Sequence, residues 1–182
     1  MSEQPERLTH AGLVERAAKW LRNTKHCGVV LTERDSYAGE IPDAIGWNNG
    51  FAHVVECKVS RSDFLADRHK RWRREPSRGM GLYRWFFAPS GLLRADEMPA
   101  LFGLVEVIGR SCRVAKPAEE HQQHNRNSEI LLLTSELRRY QLHGITYPPL
   151  PKVERRQAVT PAHTDLGPLM EPQPSNPEGS TR

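Results

Sequence analysis

The stretch Glu40–Ser60, EIPDAIGWNNGFAHVVECKVS, is the one whose reading decides the fold. Two short apolar runs flank Asn49-Gly50. Both residues tolerate positive φ and suit a type I′ turn, so the pair between apolar runs predicts a β-hairpin. With Asn49 and Gly50 as the loop, Asn48 faces Phe51, and the ladder runs on until Asp43 faces Glu56. Lys58 lies two residues beyond Glu56 and points to the same side of the sheet. His53, Val55, Cys57 and Val59 point to the other side and form a core face. Asp43, Glu56 and Lys58 therefore converge. Directly opposed side chains have Cβ atoms about 5 Å apart, where like charges repel. Asp43 and Glu56 need a cation between them. Lys58 supplies part of it, and a hard divalent ion, which takes carboxylate oxygens and water, supplies more. The arrangement depends on register, because a one-residue slip turns every side chain over.

Pro42-Asp43, twelve intervening residues and then Glu56-Cys57-Lys58 resemble the motif of the PD-(D/E)XK nuclease superfamily. The run VECKVSRSDFLADRHKRWRR followed by GMGLYRWFFAPSGLL resembles small, largely uncharacterised bacterial and phage members of it. The resemblance implies a restriction-endonuclease-like αβββαβ core, an α/β (α+β) fold with a mixed central sheet flanked by helices. It implies a Mg²⁺- or Mn²⁺-dependent nuclease acting on nucleic acid, with DNA the expected form, in phage or bacterial DNA processing or repair. Asp43, Glu56 and Lys58 become the catalytic set. Asp43, Glu56 and the main-chain carbonyl of Cys57 become metal ligands, with Glu15 on the first helix a further candidate. Arg61 and Asp63 position substrate or hold the site, with Ser60 and Ser62 part of the same recurring pattern.

The 182 residues suit one domain with room for a core, and the net charge of +4 with a pI near 9.1 favours an acidic partner such as nucleic acid. Cys27, Cys57 and Cys112 make an odd set, against a disulfide framework and for a reducing cytoplasm. No apolar run approaches the roughly 18 residues of a membrane span, and MSEQPERLTH lacks the apolar centre of a signal peptide.

Residues 1–9 read as a polar, flexible segment and 10–146 as the domain. Leu13, Val14, Ala17, Ala18 and Leu21 recur at helical spacing over 10–22. Glu15 flanks that stripe, with Lys19 one turn on as an ordinary surface partner. Gly28–Thr32 predicts a first strand. Glu33 and Glu40 are further carboxylates in a loop near the expected site; either can assist a metal, and each reads first as a solvated loop residue. A helix is expected over 63–74, capped by Ser62 or Asp63 and stopped before Pro76. Phe64, Leu65, Arg68 and Trp72 fall on one side of it. Its basic residues Arg68, Lys70, Arg71, Arg73 and Arg74, with Arg61 before them, share one sign and repel one another unless an anion is near, which favours phosphate contact.

Leu82–Ala88 predicts a buried strand, 95–101 a short helical turn, Leu104–Ile108 another strand and Cys112–Ala115 an edge strand. His121 and His124 lack zinc-site spacing and read as part of a solvated linker over 117–127. Residues 128–142 predict a helix that caps the sheet or docks a second subunit as a homodimer. Residues 147–182 are Pro-rich and read as disordered. Two other classes stay open: a catalytically silent nucleic-acid-binding accessory protein on the same fold, and an interaction protein whose tail is the working part.

Overall fold

The computed structural model describes residues 8–35 and 39–144. They fall in the first of the two units into which the chain divides, Met1–Thr146. The expected Pro-rich tail and most of the N-terminal segment lie outside the described residues.

Helix α1 (His10–Asn23) is followed by strands β1 (Val29–Thr32), β2 (Ala44–Asn48) and β3 (Phe51–Cys57). Helices α2 (Arg61–Asp67) and α3 (Arg71–Arg74) lead to β4 (Tyr83–Pro89), β5 (Gly103–Ile108), β6 (Ser111–Lys116) and α4 (Arg126–Leu142). The fold is α+β. One six-stranded sheet runs in sequence order β1 to β6. β1, β2 and β3 pair antiparallel, β3, β4 and β5 parallel, and β5 and β6 antiparallel. The expected α-β-β-β-α-β order is present, and α2–α3 provide the crossover that a parallel β3–β4 pair requires.

The hairpin forms in the expected register. Asn48 pairs with Phe51 and Ala44 with Val55, and the turn has φ of 49° at Asn49 and 79° at Gly50, the positive pair that a type I′ loop needs. Alternation along β3 divides the core. Val55 and Cys57 join Trp85, Phe87 and the α1 residues Leu13, Ala17 and Leu21. Val54 packs on the opposite face with Ile45, Met80 and Leu132 of α4, and Phe86 and Leu104 continue that face beneath Phe64 of α2. Glu56 lies in the same row as Val54.

Three expectations about the basic segment are corrected. The basic segment is not one helix over 63–74: it breaks at Arg68–Lys70, where Lys70 is extended with ψ 138°. The break lets Lys70 turn back towards buried acids instead of stacking its charge among arginines. The residues buried on α2 are Phe64 and Asp67, while Leu65 and Arg68 are exposed. The cap is Ser60, whose Oγ accepts from the Asp63 N–H at 3.2 Å. Helix α4 covers the sheet largely with polar residues: Ser128, Glu129, Leu132 and Glu136 are buried, while Ile130, Leu131 and Leu137 face outward. Glu129 accepts from the Gly81 N–H at 2.8 Å, which is how a carboxylate comes to lie under a helix.

Gly103 opens β5 against the Trp85 ring. A Cβ there would stand 2.4 Å from Trp85 Cε3 and 2.8 Å from the Ala118 main-chain nitrogen. We expect Gly103→Ala to lower stability by about 1–3 kcal/mol through overpacking, read from the urea midpoint of unfolding; an unchanged midpoint would contradict the packing described.

Candidate functional site

The sheet face that carries Glu56 is charged at one end and aromatic next to it. Glu56 is almost fully buried, its side chain 2% exposed. Lys70 Nζ lies 2.9 Å from its Oε2, Lys58 Nζ 3.8 Å from the same oxygen, and Arg73 Nη2 3.8 Å from Oε1. Asp67 of α2 is the second buried acid. Lys58 approaches it at 3.1 Å and Lys70 at 2.8 Å, and the Arg73 Nε–H donates to Oδ2. Burial works against the Asp67 carboxylate, but Arg73 beside it, with Lys70 and Lys58, holds its pKa down at about 2. Lys58 is also 3.4 Å from Asp63. The network is closed: each buried charge meets an opposite one, the condition under which charges are tolerated out of water.

Asp43 stands one residue before β2. Its Oδ2 accepts from the Cys57 N–H at 2.6 Å, taking the place of a ladder carbonyl, and its Oδ1 lies 3.4 Å from Nε2 of His10 at the start of α1. Burial and the negative charge of Glu56 push the Asp43 pKa up to about 6, against the Cys57 hydrogen bond, His10 and Lys58. The two carboxylates thus feel one another, but their nearest cations differ: His10 for Asp43, Lys70 for Glu56.

The other sequence candidates divide. Glu15 pairs with Lys19 at 2.8 Å and its side chain is 70% exposed; the residue that α1 brings to Asp43 is His10. The Cys57 thiol is buried on the α1 face, where burial raises its pKa well above the ordinary value. Arg61 is engaged by Glu97 through two hydrogen bonds of 2.8 and 2.6 Å. Arg68, Arg71 and Arg74 face solvent, whereas Lys70 and Arg73 point inward to the acids. Ser60 caps α2, and Asp63 reaches back to Lys58.

Glu40, expected in solvent, is fully buried. It pairs with the buried Arg84 and accepts from the Met80 N–H at 2.6 Å, and burial raises its pKa while Arg84 opposes the rise. Glu33 is exposed and lies 3.6 Å from His10. His121, expected in a solvated linker, is buried, with its ring edge-on to Phe102 at 5.0 Å between centroids. Asp67 and His10 were not singled out by the sequence reading, and Glu40 was read as a solvated loop carboxylate. Asp67 left a trace, an acid three residues after the apolar Phe64 and ahead of a basic run. His10 left none.

As a metal centre the oxygens of Asp43 and Glu56 suit a hard cation in kind, since Mg²⁺ often takes only one or two carboxylates and keeps its water. Glu56 Oε1 is buried without a hydrogen-bond partner. Among the described residues no group of three or more His, Cys, Asp or Glu side chains comes together to hold a metal. The place beside Glu56 and Asp67 where a cation would be most stabilised is held by the Lys70 ammonium.

The class defined by fold and site is an α+β protein with a mixed six-stranded sheet and a buried ionic cluster on one face. No family model and no curated protein matches the chain. Among solved structures it is similar to the SPO1766 protein of unknown function from Silicibacter pomeroyi, at 23% identity over 83% of this chain and 100% of that chain, with a TM-score of 0.53. A likeness at that identity bears on the fold alone. No helix among the described residues is long and apolar enough to cross a membrane.

The raised Asp43 pKa has a definite sign. The folded chain holds this proton more tightly than the unfolded chain, whose carboxyl titrates near the ordinary 3.8. Asp43 therefore costs stability as pH rises from about 4 to 6. In chelator-treated protein, Asp43→Asn should remove that slope. The variant should gain about 1–3 kcal/mol on wild type between pH 4 and pH 7, measured by urea unfolding; a constant difference across the range would refute the assignment.

Proposed function

We propose that this chain is a metal-dependent nuclease of the PD-(D/E)XK type, hydrolysing phosphodiester bonds, with DNA the substrate of choice. The observation that supports the reading is at the end of the β2–β3 hairpin, where Asp43 feels the charges of Glu56 and Lys58, and Lys58 lies 3.8 Å from Glu56. A Mg²⁺ or Mn²⁺ ion held by Asp43, Glu56 and the Cys57 carbonyl would supply Lewis-acid stabilisation of the scissile phosphate and a more acidic bound water. The chain's own residues set the conditions. Lys58 stands within 4 Å of three carboxylates, so it acts as a fixed positive charge that orients and stabilises rather than as a base. Asp67 and Asp63 hold that ammonium in place. Lys70, half-buried on the turn between α2 and α3, counterbalances Glu56, the same carboxylate that would hold a divalent ion. Arg68, Arg71 and Arg74 on the outer side of the same segment offer charge to the substrate backbone.

A second reading is favoured by one observation: the acids are already neutralised by Lys58, Lys70 and Arg73. On that reading the protein binds nucleic acid through its outer arginines without cutting it. Salt-sensitive band shifts with no cleavage across metals and substrates would select it.

Under the nuclease reading, Glu56→Gln and Lys58→Met should each lower Mg²⁺-dependent cleavage of duplex DNA by at least ~100-fold while circular dichroism stays native. Cleavage by both variants at the wild-type rate would overturn the assignment.

A further inference from the structure

Among the described residues the sheet ends in two open edges, β1 and β6. An edge strand offers unpaired N–H and C=O groups to any strand that reaches it, and proteins guard such edges with charge. β6 is guarded: Arg113 and Lys116 lie on it and Arg110 precedes it. β1 reads Val29-Val30-Leu31-Thr32, with no charge and no proline, and Val29 is 47% exposed.

The backbone of β1 is half used. Glu33, one step beyond the Thr32–Ala44 pair, donates its N–H to the Asp43 carbonyl at 3.2 Å. Bonded pairs alternate along an antiparallel ladder, so Leu31 and Val29 also bond to β2. Val30 and Thr32 turn their N–H and C=O groups to the open side, where no described residue takes them. Side chains alternate as well: Val30 packs on the α1 cluster and Leu31 on the cluster that holds Leu132 of α4. The two ends of the strand differ in sign. Arg22 and His26 come before it, Glu33 and Asp35 after it, and all are exposed. Arg34, between the two acids, lies 3.7 Å from Glu136. Two copies of β1 laid antiparallel therefore bring an acidic end to a basic end. Two copies of β6 would bring the Arg110 end of one to the Lys116 end of the other, base against base.

We propose that β1 is a homodimer interface, pairing antiparallel with β1 of a second copy so that the two sheets become one. A two-fold axis perpendicular to the sheet keeps every residue on its own face, so opposed residues must share a face. Leu31 opposite Leu31 of the second copy meets this condition. It sets Val30 opposite Thr32 of the second copy, and such a pair exchanges two hydrogen bonds through the groups that β2 leaves open. The Leu31 pair at the centre is of the non-bonded kind, in which side chains approach most closely. Val29 then faces Glu33 of the second copy. The ladder is short, so the expected Kd is on the order of micromolar rather than nanomolar. This interface is independent of the nuclease reading.

The test is sedimentation velocity on the full chain from about 1 to 200 µM. We expect the mass to climb with concentration from 20.7 kDa towards twice that value. Val29→Glu sets carboxylates opposite one another at both ends of the ladder and should weaken association by at least ~10-fold. Val29→Lys, at the same exposed position, sets opposite charges there and should associate at least as tightly as wild type. Val30→Pro removes an outward N–H and spares the bonds to β2, so it should weaken association as Val29→Glu does. In the dimer the Val30 and Thr32 amides should exchange hydrogen at least ~10-fold more slowly than in the Val29→Glu monomer. A chain that stays monomeric throughout, equal effects of Val29→Glu and Val29→Lys, or fast exchange at Val30 and Thr32 in a dimer would overturn the proposal. So would association that Leu131→Glu, on the exposed side of α4, abolishes and Val29→Glu leaves intact.

Discussion

Two carboxylates, Glu56 and Asp67, are buried on one face of the sheet, and the layout of the segment after β3 follows from neutralising them. An unpaired buried carboxylate is far more costly than the few kcal/mol by which a domain is stable. Lys58 alone lies 3.8 Å from Glu56 and 3.1 Å from Asp67 and carries one charge for two acids. Lys70 and Arg73 provide the rest, and they reach inward only because the basic segment breaks between α2 and α3. The break, the placement of α3 and the inward turn of half the basic run are consequences of one electrostatic constraint.

A second buried pair, Glu40 with Arg84, ties the loop before β2 to β4, and the Met80 N–H donates to the same carboxylate. Arg84 is paired with Val54 across the parallel β3–β4 ladder, one step along the row from Glu56. The sheet face thus carries a line of ionic contacts beside the aromatic cluster of Phe64, Phe86 and Phe102. Arg73 joins the two, with its guanidinium 4.5 Å from the centre of the Phe102 ring and 5.1 Å from that of Phe86. A cation over an aromatic face keeps its charge while filling apolar space, so Arg73 joins the polar and apolar halves of this face.

The division of the basic residues bears on function. Counting positive charge along Arg61–Arg74 overstates what is offered to an anionic partner, since Arg61, Lys70 and Arg73 are engaged by Glu97, Glu56 and Asp67. Arg68, Arg71 and Arg74 remain on the outside. The same inward turn places Lys70 beside Glu56, the carboxylate that a divalent ion would claim in the proposed nuclease.

The local elements were legible because their causes are local. The Asn49-Gly50 turn, its register, the α1 stripe, and the strands β4 to β6 follow from turn chemistry and from periodicities of two and 3.6. Register alone was enough to bring Asp43, Glu56 and Lys58 to one end of the hairpin. What the sequence left open concerns contacts between residues far apart in the chain: His10 with Asp43, Glu40 with Arg84, His121 against Phe102, and the polar underside of α4. Each of these is a buried polar group whose partner is chosen by the packed sheet, and no pattern within one segment records it. The sequence by itself determined which chemical groups the β2–β3 hairpin presents. The tertiary structure decided which of them meet water and which are matched against opposite charge, because burial and compensation are properties of the assembled faces.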